Sequence, residues 1–236
     1  MNPLTKLFVA SVIALGGAAL VAQAPREYPA PLLAVTWMAA MSVVSLFKLR
    51  LPLRRGEATM SMAYVIDFLV LVTAGADLAM VIAAAGVLVQ CTVRVRRPQP
   101  WYRTAFSMAS VVLAAQTAGI IWSGLGGTLA DPGFLTTVVP LAMSALGYFL
   151  VNTGLVAAAI GLSAAGPMGA PSWSRFARTA PAALIAAAAA IVMQMLVARE
   201  AYLFMPSAVT PILVCYFSYA AWFRRCAESD WVGHPS

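Results

Sequence analysis

Lys48-Leu-Arg-Leu-Pro-Leu-Arg-Arg55 places four cations in eight residues, with an apolar run on either side. Similar basic gaps recur at Arg94–Arg103 and Arg175–Arg178, with Lys6 ahead of the first apolar run and Arg224–Arg225 after the last. Thirteen of the fifteen Lys and Arg fall in these alternate gaps, and only Arg26 and Arg199 fall in the others. Cationic gaps that alternate in this way mark a multi-pass helical membrane protein whose basic loops stay in the cytoplasm. The expected fold is therefore all-α, a polytopic transmembrane helix bundle with both termini cytoplasmic.

Composition supports the same class. A soluble domain is about 25% charged; here charged residues make up 10% and apolar residues 62%. Mean hydropathy is +0.86. The net charge of +7 sits beside apolar runs and forms no long basic stripe, so the expected partner is anionic lipid and not nucleic acid. Arg outnumbers Lys thirteen to two and Ala is about a fifth of the chain, the usage of a GC-rich bacterial genome. The expected location is the bacterial inner (plasma) membrane.

A crossing needs about 20 mainly apolar residues. That measure predicts helices at 7–23, 31–47, 58–74, 78–93, 104–124, 140–164, 181–197 and 207–223. Together they form one integral membrane domain over 1–236, with a cytoplasmic tail at 224–236. The third and fourth are short and share the turn Gly75-Ala76-Asp77, so they form a tight hairpin. The count falls to seven if the first helix is removed, or to six if that hairpin is re-entrant. Ala22-Gln23-Ala24 after a basic, apolar start resembles a signal-peptide cleavage site, but Pro25 would follow the cut and the run is long enough to span. Pro31, Pro140 and Pro181 stand at helix starts, where the missing N–H costs nothing. Trp101, Tyr102 and Trp173 near the basic loops, and Trp122, Tyr202 and Phe204 at the other side, fit interfacial aromatic belts.

Small residues supply the faces on which such helices pack. Gly147, Gly154 and Gly161 recur every seven residues on one face, suited to a neighbouring helix or to a second copy in a homo-oligomer. Ala14-Ala18-Ala22 and Ala83-Ala84-Ala85-Gly86 offer others.

Asp67 is the one ionisable residue expected at mid-membrane, with Tyr64 one turn earlier. An acid there costs about 2.5–3.5 kcal/mol on insertion scales, and three roles fit it: a protonation switch, a ligand or cation contact, or a structural hydrogen bond. Ser144, Tyr148 and Asn152, four residues apart, align on one helix face. Gln116, Gln90 and Gln194 add amides at membrane depth. Converging, Asp67, Tyr64, Gln116, Tyr148 and Asn152 would line a polar ligand site; scattered, each would only bond to a neighbouring helix. Cys91, Cys215 and Cys226 form no framework, and His234 is the only histidine. No nucleophile–base pair, metal set, P-loop or dinucleotide fingerprint stands in the sequence, so neither an enzyme nor a cofactor is expected.

Met60-Ser-Met-Ala-Tyr-Val-Ile-Asp67, Gly75-Ala-Asp-Leu-Ala79, Arg94–Arg97, Trp101-Tyr-Arg103, Phe106, Tyr148-Phe-Leu-Val-Asn152-Thr-Gly-Leu-Val156 and Tyr216-Phe-Ser-Tyr219 follow one another in an order with a known parallel. It resembles the multi-pass membrane sensor module that precedes GGDEF or HD-GYP domains in bacterial cyclic-di-GMP signalling proteins. The resemblance covers about 58–225, with Ser107 where that pattern has Asn. Eleven residues follow Arg225 and hold no output domain, so it implies a sensor-type membrane fold and neither cyclase nor phosphodiesterase activity. The expected function is a sensor-like module that binds a small or lipidic ligand and acts through a cytoplasmic or membrane protein partner. The alternatives are the substrate-binding component of a small-molecule transporter, docking through a face such as Ala14–Ala18, and a non-catalytic accessory subunit of a membrane complex.

Overall fold

A computed structural model describes residues 2–25, 31–46, 48–53, 56–61, 63–93, 100–130, 133–163, 180–198, 217, 218 and 221. Its α-helices are α1 (Pro3–Gln23), α2 (Pro31–Leu46), α3 (Ala63–Ala74), α4 (Ala76–Thr92), α5 (Trp101–Gly124), α6 (Val139–Ser163) and α7 (Ala180–Ala198). A π-helical turn, Phe134–Val138, leads into α6. These correspond to the first seven expected helices. The eighth, 207–223, and the tail lie outside the described residues apart from 217, 218 and 221, as do Trp173, Tyr202, Phe204, Cys215, Cys226 and His234.

Among the described residues three helices are long and apolar enough to cross a membrane: Pro3–Gln23, Trp101–Gly124 and the continuous Phe134–Ser163. The chain is accordingly a membrane protein. Trp101 and Trp122 mark opposite ends of α5, as an aromatic belt at each interface requires.

The stretch around Lys48 departs from expectation. It is no plain loop but strand β1 (Lys48–Leu53), paired antiparallel with β2 (Gly56–Ser61), from Lys48 opposite Ser61 to Leu53 opposite Gly56. Lys48, Arg50 and Pro52 alternate with Leu49, Leu51 and Leu53, the period of a strand and not of a helix. The bundle therefore carries one small hairpin, and the expected third helix is corrected: residues 58–61 belong to β2, leaving α3 with 12 residues. Twelve residues rise about 18 Å, short of the roughly 30 Å hydrocarbon core. α3 is thus a short inner helix. Ile66, Asp67, Phe68, Leu69, Val70 and Leu71 are all buried, so every side of the helix is covered. α2, α4 and α7 pack around it. Gly75, at φ +88°, makes the turn into α4 in a conformation that suits glycine.

α5 forms the other spine, packing on α1, α4 and α6. Asn2 caps α1, its Oδ1 accepting from the amides of Leu4 at 2.7 Å and Thr5 at 3.3 Å. Thr5, fully buried, donates to the Leu162 carbonyl at 2.7 Å. Val9 and Val12 pack with Phe106 and Ala109. A Cβ at Gly16 would lie 2.6 Å from Ala109 Cα, so the two backbones approach as only glycine permits. The tight face of α1 is therefore at Gly16, whereas Ala14, Ala18 and Ala22 are exposed. Gly86 instead receives side chains, those of Met41 and Ser45 on α2. The seven-residue glycine face of α6 divides: Gly147 backs onto Ile121 of α5, while a Cβ at Gly154 would meet nothing within 4 Å.

Candidate functional site

Tyr64 and Asp67 are three residues apart on α3, and Tyr148 and Asn152 four apart on α6, so each pair projects from one side of its helix. The pairs meet in crossed order. The Tyr148 hydroxyl donates to Asp67 Oδ2 at 2.9 Å, and Asn152 Nδ2 donates to the Tyr64 hydroxyl at 3.3 Å. Numbering rises along α6 as it falls along α3, which requires the two helices to run in opposite directions.

Aromatic packing fixes the group. Tyr148 stands edge-on to Tyr64, with centroids 5.6 Å apart and planes at 83°, and to Phe68 at 5.5 Å and 66°. These are the offset geometries that aromatic rings prefer. Phe68 is fully buried and Tyr148 nearly so. Asp67 is 4% exposed, and its Oδ1 is buried without a hydrogen-bond partner. A buried carboxyl with one oxygen satisfied and the other bare is unusual, because leaving a buried polar group unpaired costs about 1–3 kcal/mol.

Four of the five expected site residues thus converge: Asp67, Tyr64, Tyr148 and Asn152. Gln116 does not join them. Its amide lies 2.9 Å from Met80 Sδ and donates to Asp77 Oδ1 at 3.3 Å, tying α5 to the first turn of α4. Ser144 leaves the polar stripe as well, since its hydroxyl is spent on the Pro140 carbonyl of its own helix at 2.8 Å. Gln90 and Gln194 are half-buried on α4 and α7. Among the described residues no three of His, Cys, Asp and Glu gather as a metal site would need.

The structure adds residues that the sequence reading passed over. Phe68 walls the cluster. On α2, Trp37 Nε1 and Ser45 Oγ are also buried without partners, two turns apart on the side that packs against α4. The i, i+4, i+8 spacing of Trp37, Met41 and Ser45 is the signal that marks that face.

Chemically, the cluster holds one carboxyl, two phenols and one amide. It can accept and hold hydrogen-bond donors or a positive charge at Asp67 Oδ1. Compared with protein-family models, curated proteins and solved structures, the chain matches none.

Proposed function

We propose that this chain is a multi-pass, sensor-like module of the bacterial inner membrane, in which the α3–α6 cluster responds to a small or lipidic ligand and a partner protein receives the change. One observation carries the reading: a carboxyl buried in the central short helix, held on one side by Tyr148 and bare on the other. Ionisable residues at membrane depth are costly and cluster at ligand and ion pathways. A carboxyl serving structure alone would be expected to have both oxygens satisfied, as buried polar groups are. The opposed directions of α3 and α6 support alternating directions along the chain, and the charge pattern supports an even number of crossings with both termini in the cytoplasm, six if the short α3–α4 hairpin is re-entrant and eight if it crosses. The basic hairpin β1–β2 then faces the cytoplasm, where a partner could read it.

The second reading, a substrate-binding component of a transporter, draws on the exposed Ala14 and Ala18 of α1 as a docking face. The two readings share the cluster and differ in what binds outside it.

Native mass spectrometry of the protein released from its own membranes tests the shared part. The wild type is expected to carry a bound small molecule or lipid that Asp67→Asn and Asn152→Leu lose while remaining folded. Identical spectra for all three proteins would contradict ligand binding at this cluster. In-cell photocrosslinking from the β1–β2 hairpin should capture a cytoplasmic partner under the sensor reading, and crosslinking from Ala18 an integral membrane partner under the transporter reading.

A further inference from the structure

Every element against α3 bears on the charge of Asp67. α2 and α7 carry no titratable or charged residue along their lengths; α4 carries Asp77 and Cys91, and α5 carries Tyr102 and Arg103. α6 contributes Tyr148 alone, and α3 itself adds Tyr64. Arg103 is exposed in the first turn of α5, and Asp77 is exposed in the first turn of α4, where it takes the Gln116 amide. Among the described residues, then, no cation pairs with Asp67, and its single hydrogen bond comes from Tyr148. A full negative charge so placed lacks both a counter-ion and the several donors that stabilise buried carboxylates.

Something from outside these helices must neutralise the carboxyl. The space around it is crowded: Phe68 and Tyr148 are essentially inaccessible, and the edges of three aromatic rings are in contact there. A metal ion or an organic ammonium needs room and several oxygen or ring-face contacts. A proton needs neither.

We propose that Asp67 is a proton-binding site inside the membrane bundle, the proton being taken at the bare Oδ1 while Oδ2 keeps the Tyr148 bond. The proposal rests on the cluster being the responsive site and adds to the ligand assigned there a proton at Oδ1, the point where nothing larger has room. The step is simple: a proton from the aqueous phase forms one O–H bond on Oδ1, no bond breaks, and the carboxyl passes from −1 to neutral. Its consequence lies in the other oxygen. A hydrogen bond to an ionised carboxylate is roughly twice as strong as one to a neutral acceptor. Proton uptake therefore weakens the bond joining α3 to α6, and release tightens it. The tie between the two helices becomes a reading of proton activity on whichever side of the membrane reaches Asp67.

Infrared difference spectroscopy tests this on the full chain in lipid nanodiscs, comparing alkaline with mildly acidic buffer. The wild type should show a protonated-carboxyl carbonyl band that grows on acidification. Labelling with carboxyl-13C aspartate should shift the band, Tyr148→Phe should displace it through the lost hydrogen bond, and Asp67→Asn should abolish it. The label and Tyr148→Phe keep the test valid with Asp67 in place, whatever the fold of Asp67→Asn. A band unmoved by the label and by Tyr148→Phe would overturn the proposal. A second arm holds the buffer alkaline and compares sodium chloride with tetramethylammonium chloride by thermal unfolding. Stabilisation by either salt that depends on Asp67, with no aspartate band, would overturn the proton and leave the cluster as a cation site. Loss of both responses would overturn the proton together with the reading of the cluster as responsive.

Discussion

Asp67 on α3 and Tyr148 on α6 meet through one hydrogen bond of 2.9 Å, and it occupies only one of the two carboxylate oxygens. The bond joins a 12-residue helix enclosed by the bundle to one that continues the longest apolar segment among the described residues. The short helix is thereby tied to an element long enough to cross the membrane.

Substitution at Asp67 separates its hydrogen bonding from its charge. Asp67→Asn keeps a carbonyl to accept from Tyr148, so its thermal stability in nanodiscs should stay near wild type while proton and ligand responses vanish. Asp67→Leu leaves the Tyr148 hydroxyl buried and unpaired, at a cost of about 1–3 kcal/mol, and should lower the melting temperature clearly. Equal melting of the two variants would mean that Asp67 supplies no acceptor to Tyr148.

The second bond of the cluster is weaker. Side-chain hydrogen bonds between membrane helices average about 0.6 kcal/mol, and the Asn152–Tyr64 contact is long at 3.3 Å. Asn152→Leu and Tyr64→Phe should each destabilise slightly in equilibrium unfolding. Their combination should cost little more than either alone, because both remove the same bond.

How far was this legible in the sequence? Asp67, Tyr64, Tyr148 and Asn152 were readable because helical spacing places each pair on one face and because acids at membrane depth are rare. Their partnering was not, since spacing along one helix does not say which helix faces it. Gln116 shows the limit: it has the right depth and chemistry, yet α5 turns it toward Asp77 and Met80. The hairpin is hidden because a 20-residue apolar window carries Ala58, Thr59 and Met60 of β2 into a helix. The two-residue alternation from Lys48 to Leu53 was the signal against it. Helix existence survived this error, and the start of α3 did not.

Gln116 should accordingly behave as a separate element. Gln116→Leu removes the side-chain hydrogen bond from half-buried Gln116 to Asp77, and such bonds between membrane helices average about 0.6 kcal/mol. The Asp67-dependent infrared band should be unchanged in this variant. A displaced band would place Gln116 in the cluster after all.

The α1–α5 contact offers a test of the bundle that is independent of the cluster. Gly16→Ala drives a Cβ against the Ala109 side chain and backbone, whereas Gly17 has nothing within 4 Å. Gly16→Ala should lower the melting temperature, Ala109→Gly in the same protein should recover part of the loss, and Gly17→Ala should be close to silent. The same packing predicts that α1 stays in the mature protein, and intact mass measures that directly.

Whether Asp67 and Tyr148 act as one unit inside the membrane bundle is measured most directly by a double-mutant cycle. Equilibrium unfolding in lipid would be compared for the wild type, Asp67→Leu, Tyr148→Phe and the double variant. Residues that share a hydrogen bond show coupling of about 0.5–3 kcal/mol. A value in that range is expected, with the double variant less destabilised than the sum of the singles because neither partner is left buried and unpaired. Strictly additive losses, with no coupling between the two positions, would contradict it.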